Sequence, residues 1–266
     1  MEFFKNINYA KLESNLISFI QKSCKDKKVL VGLSGGIDSC IVCVLAVKAL
    51  GKENVKALIM TNVRFFSGDL EKARAYAKLL GVEIQEIGSD SARDAFATAL
   101  GINESNVKEV STLDARVCDL LIRFIAMQEN RIMLGTIDNS ERLAGWYPKG
   151  TLVGDLCPIG GLLKHQIIEL AKHLNLDYLA ETVSNDATKV CGGCGALEEF
   201  SGIPYETLDS FLYLYETTKK EHLPKKVKEA GISLEIMKVV LERIEKVKHK
   251  QDLFPKYLAI NKCGAD

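Results

Sequence analysis

Two stretches of this chain concentrate side chains that do chemistry. The first is "SGGIDS" (Ser34–Ser39), set between the apolar runs of "KVLVGLSGGIDSCIVCVLAVKAL" (Lys28–Leu50). Gly35 and Gly36 permit positive φ and a close backbone approach. Ser39 is placed to cap the helix that follows. Unpaired amides at a helix start, with the macrodipole, make an anion site, and phosphate is the anion expected. An ordinary βα turn is the alternative, but paired glycines with flanking hydroxyls exceed what a turn needs. Gly-x-x-x-x-Gly-Lys-Ser/Thr is absent, and Gly32, Gly35 and Gly36 do not fit G-x-G-x-x-G. Where a Walker loop carries lysine, this loop carries Asp38, a carboxylate suited to bridging magnesium to phosphate.

The second stretch is "GTIDNSERLAGWYPKGTLVGDLCPIGGLLKHQIIELAKHLNL" (Gly135–Leu176). Thr136 ends an apolar run and can bond a nucleotide. Glu141 offers a second carboxylate for the magnesium of Asp38; a glutamate taken alone is more often a solvated surface acid. Glycine-rich turns then present Lys149 and Asp155. Pro158 opens a turn into a helix carrying Lys164.

The chain has eight cysteines. "CGGC" (Cys191–Cys194) has the Cys-x-x-Cys spacing of metal and redox sites. With Cys118 and Cys157 it makes a set of thiols suited to zinc or an iron–sulfur cluster. The alternative is small thiols filling core positions. Cys40 and Cys43 lie on an apolar helix and read as core packing; Cys24 and Cys263 read as incidental.

The elements that must hold these residues alternate. Helix Tyr9–Lys22 precedes strand Lys28–Leu33 and helix Ser39–Leu50. Strand Val55–Met60, helix Asp69–Leu80 and strand Val82–Ile87 follow. Helix Leu113–Gln128, strand Arg131–Thr136 and helix Leu162–Leu174 come next, and Pro204–Lys250 is helical and charged. This pattern predicts an α/β fold with a doubly wound, Rossmann-like parallel sheet, ligands outside the carboxyl ends of its strands, and a helical C-terminal part, all in one domain over residues 1–266.

Formal net charge is zero, so charge alone implies no polyanion-binding surface, and no nucleic-acid partner is expected. No stretch approaches the roughly 20 apolar residues of a membrane span. "MEFFKNINYAKLESNL" lacks the basic start and apolar core of a signal peptide. The expected location is the cytoplasm, where thiols stay reduced.

"SGGIDS" resembles the pyrophosphate loop of N-type ATP pyrophosphatases. The order Gly-Thr…Glu (Gly135, Thr136, Glu141), Gly-Trp-Tyr (Gly145–Tyr147), Lys149, Gly-Asp (Gly154, Asp155), Pro-Ile-Gly (Pro158–Gly160) and Lys164 is similar to the ammonia-dependent NAD synthetase family. "GIPYETLD" (Gly202–Asp209) and "KHKQDLFP" (Lys248–Pro255) are similar to later segments of that family. The resemblance implies a ligase that adenylates deamido-NAD with ATP and amidates it with ammonia. It implies that Gly32, Leu33, Ser34, Gly35, Gly36, Ile37, Asp38 and Ser39 cradle the ATP phosphates, with Thr136 and Lys164 also contacting ATP. Asp38 and Glu141 would hold magnesium. Arg116, Lys149, Asp155, His249 and Lys250 would bind deamido-NAD, Asp155 also orienting ammonia. A homodimer is implied as well. With no length for a glutaminase domain, free ammonia or a separate donor is expected.

The chain departs from that family at several points. Cys118 and Asp119 stand where the family has arginine and methionine, Cys157 replaces an asparagine, and "VSNDAT" (Val183–Thr188) replaces a Pro-Pro-Ser/Thr motif. Loss of a planar bidentate donor is not a mild change. A divergent adenylating enzyme for amide or sulfur transfer, using a cysteine-bound metal, is therefore the alternative reading.

Overall fold

The computed structural model describes residue 4 and residues 7–61, 70–103, 105–151, 153–176 and 203–251. Cys191 and Cys194, Cys263 and the 183–188 stretch lie outside the described residues.

Helix α1 (Tyr9–Cys24) precedes β1 (Val29–Gly32), α2 (Ile37–Leu50) and β2 (Val55–Thr61). Helix α3 (Leu70–Leu80), β3 (Glu83–Gly88), α4 (Asp90–Leu100), α5 (Val107–Gln128) and β4 (Ile132–Leu134) follow. Then come α6 (Asn139–Ala144), α7 (Lys164–His173), α8 (Tyr205–Thr217), α9 (Leu223–Glu229) and α10 (Leu234–Val247).

The sheet order is β3-β2-β1-β4, and every pairing is parallel. β1 is Val-Leu-Val-Gly, its three apolar residues fully buried, as expected of a strand covered on both faces. Alternation sends Val29 and Val31 into one core with α1, α2 and α7, and Leu30 into another with Ile122, Ile125 and Ala126 of α5. A third core unites α6, α8, α9 and α10 around Leu208, Phe211 and Leu212.

The chain moves outward from β1 through β2 to β3, then returns to the other side of β1 for β4. The direction of winding reverses between β1 and β4, and the crevice at their carboxyl ends is where such sheets place ligands. The glycine loop leaves β1 there, and Thr136 leaves β4 beside it.

Several expected boundaries move. Helix α5 begins at Val107 rather than Leu113, and α4 and α6 are elements the periodicity did not indicate. Ser39 is not the N-cap of α2: the cap is Gly36, and Ser39 lies inside the first turn. Its hydroxyl has another task. It donates to Gly36 O at 3.0 Å and accepts the Ser34 N–H at 3.2 Å, bracing the loop across its mouth.

Candidate active site

The loop after β1 turns on Gly35, whose φ of +83° only glycine adopts without strain. Gly36 N–H donates to Ser34 Oγ at 3.3 Å, so both serines tie the loop to itself. This shape brings Asp38 into the first turn of α2. The first-turn amides of that helix have no carbonyl of their own helix to bind.

The segment after β4 is shaped by a capping box. Asp138 Oδ1 accepts Glu141 N–H at 2.7 Å, and Glu141 Oε2 accepts Asp138 N–H at 3.1 Å. Asp138 is fully buried. Glycine at 135 is required by close approach: a Cβ there would lie 2.2 Å from Val153 O. That contact lets residues 153–156 run against β4, with Gly135 N–H donating to Leu156 O at 2.8 Å.

The two segments meet. Ligand oxygens of Asp38, Asp138 and Glu141 lie within 4.8 Å of one another, the only such group of three among the described residues. Lys164, the first residue of α7, sends its Nζ into this cluster, 2.6 Å from Asp38 Oδ1 and 2.7 Å from Asp138 Oδ2. Burial alone would drive the lysine pKa down. Asp138, Asp38 and Glu141 overcome that and hold the ammonium well above its ordinary value. Burial pushes the Glu141 carboxyl up to about 8, with Asp138 adding and Lys164 opposing. Asp138 is raised for the same first reason, and Lys164 opposes it too. Burial raises the Tyr205 phenol well above its ordinary value, and its hydroxyl has no hydrogen-bond partner among the described residues.

Three carboxylates face one ammonium here, leaving a surplus of two negative charges when all are ionised. Hard carboxylate oxygens converging at one point suit magnesium. Asp138 and Glu141 are supplied after β4 and Asp38 after β1, so a cation here would lie between the glycine loop and the second strand end.

The remaining candidates scatter around this centre. Thr136 lies just beyond β4, half-buried. Arg116 is exposed on α5, and Lys149 is exposed in the turn after Tyr147. Asp155 is exposed and outside the trio: its Oδ2 accepts Met133 N–H at 2.9 Å, and its Oδ1 lies 4.0 Å from Arg123. His249 is exposed in a short 3-10 turn after α10, with Nδ1 3.0 Å from Lys246 O. Lys250 turns inward, donating to Gly145 O at 2.7 Å and Tyr147 O at 3.0 Å.

Cys118 is buried on α5 near Ser89 and Asp114, and burial pushes its thiol up to about 12. Cys157 donates to Ile137 O at 3.1 Å, and burial followed by the Glu141 charge pushes it up to about 11. Without a metal, both are held as protonated thiols by burial. Cys40 and Cys43 are fully buried in the core.

Asp138, Ser140 and Asp209 were not singled out from the sequence. Asp138 had a signal, since Asp-x-x-Glu before a short helix is a capping box. Asp209 had none of its own. It lies on α8, yet its carboxylate joins the site from 69 residues beyond Ser140. Burial raises it to about 7.

A doubly wound parallel sheet, with a glycine loop after its first strand and an acid–lysine cluster at its switch point, defines a nucleotide-binding α/β architecture. The chain belongs to the NAD synthase family, whose profile matches residues 8–254. It is 34% identical over 253 residues to an NH(3)-dependent NAD(+) synthetase of Staphylothermus marinus, covering 92% of this chain and 90% of that protein. A Methanosarcina acetivorans protein of the same name is 33% identical, covering 92% and 96%. The structure resembles an NH3-dependent NAD synthetase of Campylobacter jejuni solved with nitrate: TM-score 0.75, 27% identity, 95% of this chain and 100% of that one. An NMN synthetase of Francisella tularensis, TM-score 0.76 at 24% identity over 95% and 99%, shares the fold. No described helix is long and apolar enough to cross a membrane.

Proposed function

We propose that this chain amidates deamido-NAD to NAD with ammonia, consuming ATP and releasing AMP and pyrophosphate. The observation that carries this reading is the meeting of Asp38, Asp138 and Glu141 around Lys164 at the switch point of an NAD synthase family fold. A nicotinate carboxylate oxygen attacks the α-phosphorus, the bond to the bridging oxygen breaks, and pyrophosphate leaves. Ammonia then attacks the acyl carbon, AMP leaves, and the ammonia nitrogen loses a proton.

The chain supplies position and charge rather than a covalent nucleophile. Residues Gly32 to Ser39 hold the phosphates on the α2 amides, with Thr136 and Lys164 beside them, and the Lys164 ammonium faces charge growing on the leaving group. Magnesium, held by Asp38, Asp138 and Glu141, would neutralise phosphate oxygens. Arg116, Lys149, His249 and Lys250 are assigned to deamido-NAD and Asp155 to orienting ammonia. For Lys250 this requires releasing its two carbonyl partners.

A homodimer fits the outer face of α5. Arg116, Leu120, Phe124 and Met127 are exposed at helical spacing along it, so a substrate-facing cation shares a surface with an uncovered apolar stripe. Covering that stripe with a second copy would also enclose Arg116. Phe124→Asp is expected to yield monomers in sedimentation; an unchanged mass would remove this surface from the interface. We place the protein in the cytoplasm.

The deciding assay mixes the protein with ATP, magnesium, deamido-NAD and an ammonium salt, and follows products by chromatography. NAD and AMP in equal amounts are expected. AMP without NAD, or neither product from protein that binds ATP, would overturn the reading. Metal analysis of the same preparation tests the zinc or iron–sulfur alternative.

A further inference from the structure

Helix α8 returns one carboxylate to the acidic end from far along the chain. Asp209 is fully buried. Its Oδ1 accepts the Ser140 hydroxyl at 2.6 Å, and its Oδ2 accepts the His165 N–H at 2.7 Å. Ser140 Oγ in turn accepts the Lys164 N–H at 3.0 Å. One side chain thus serves the first two amides of α7, one directly and one through a serine of α6.

Those amides have no local partner to replace it. The residue before α7 is Leu163, whose side chain has no oxygen with which to cap a helix. A carboxylate at this helix start is also favoured by the macrodipole. The apolar packing of α8 is supplied by its neighbours Leu208, Phe211 and Leu212. A buried carboxylate with no cation bonded to it is costly, so its two bonds matter. Both end at Lys164 or its neighbours. Lys164 begins α7, so fixing its backbone fixes the root of the side chain that meets Asp38 and Asp138.

We infer that Asp209, acting through Ser140 and the His165 amide, is a positioning residue that sets where the Lys164 ammonium sits, and so sets how the site grips MgATP. The inference deepens the functional reading above and rests on its assignment of Lys164 to ATP.

A double-mutant cycle on the full-length protein tests it, with MgATP dissociation constants measured by calorimetry. Asp209→Asn is expected to weaken MgATP about tenfold, the scale of one lost charge-assisted hydrogen bond. In a Lys164→Met background the same change is expected to add less than about twofold, because residues acting as one unit are not additive. Full multiplication of the two effects would overturn the inference, since a merely structural loss would add to any background. If Asp209→Asn does not fold, Ser140→Ala enters the same cycle with the same two outcomes. Acylation of Lys164 by an amine-directed reagent, read by mass spectrometry, reports the positioning without nucleotide. A severalfold change in rate in the Asp209 or Ser140 variant is expected, and an unchanged rate overturns the inference. Wild-type protein that binds MgATP but makes no NAD would sink the functional reading while leaving the cycle to decide on Asp209.

Discussion

The two ends of the sheet carry contrasting charge clusters. At the amino ends of the strands, Lys56 and Arg131 are nearly buried between Glu83 and Glu129. Lys56 pairs with Glu129 and lies 3.1 Å from Glu83; Arg131 reaches Glu83 at 2.8 Å and Glu129 at 2.6 Å. Two cations meet two carboxylates, and the cluster is complete. At the carboxyl ends, three carboxylates share one ammonium. The first arrangement satisfies its members and closes the sheet. The second is under-neutralised and only partly exposed, a state that proteins keep where an incoming cation or reacting group completes it. Balance, rather than the number of charges, separates a strut from a site.

The largest expected break in this contrast comes from Asp38→Asn. Pyrophosphate release is expected to fall on the order of a thousandfold, because the change removes the carboxylate contributed by the glycine loop; full turnover would sink the proposed role of that loop. Glu129→Gln at the opposite end is expected to leave turnover alone and cost about 1 kcal/mol in urea unfolding, since Lys56 keeps Glu83. Slower turnover at unchanged stability would erase the distinction between the two ends.

The smallest effect is a difference in pH response. Glu141 has a folded pKa of about 8 against an ordinary value of 4.5, so between them the folded protein holds a proton that the unfolded chain has released. Metal-free stability therefore falls as pH rises through that window. Glu129 is lowered, chiefly by its hydrogen bond from Lys56, so its contribution is present above its ordinary value and lost as pH falls through the lowered one. Magnesium favours the ionised acids of the site. Its increment in Tm is expected to be a few degrees larger near pH 8 than near pH 6. Equal increments at both values would show that Glu141 does not bind the ion.

Much of this organisation can be read locally. Val29–Gly32, the paired glycines and the apolar helix form one strand–turn–helix unit within a short window, and Asp38 follows from it. Thr136 and Glu141 sit just past another apolar strand, so their place at a strand end was legible. The start of α2 was not. A serine flanked by helix-forming residues reads as a cap, but Ile37 and Asp38 already occupy the first turn, and the Ser39 hydroxyl is drawn into the loop. Helix α4 was hidden because "DSARDAFATAL" exposes most of its length and buries little beyond Arg93. Asp209 was out of reach for a different reason: its partners lie 44 and 69 residues away, and no local pattern records a contact at that distance.

The same long reach has a consequence for synthesis of the protein. Lys164 meets Asp38 across 126 residues of chain, and the carboxylate that seats its backbone lies later still, on α8. On the ribosome the glycine loop and its strand emerge first, and every partner that turns the loop into a working centre arrives after them. The strand and glycine loop therefore leave the ribosome before every other member of the acid–lysine centre, and the centre is complete only once α8 has been made and docked.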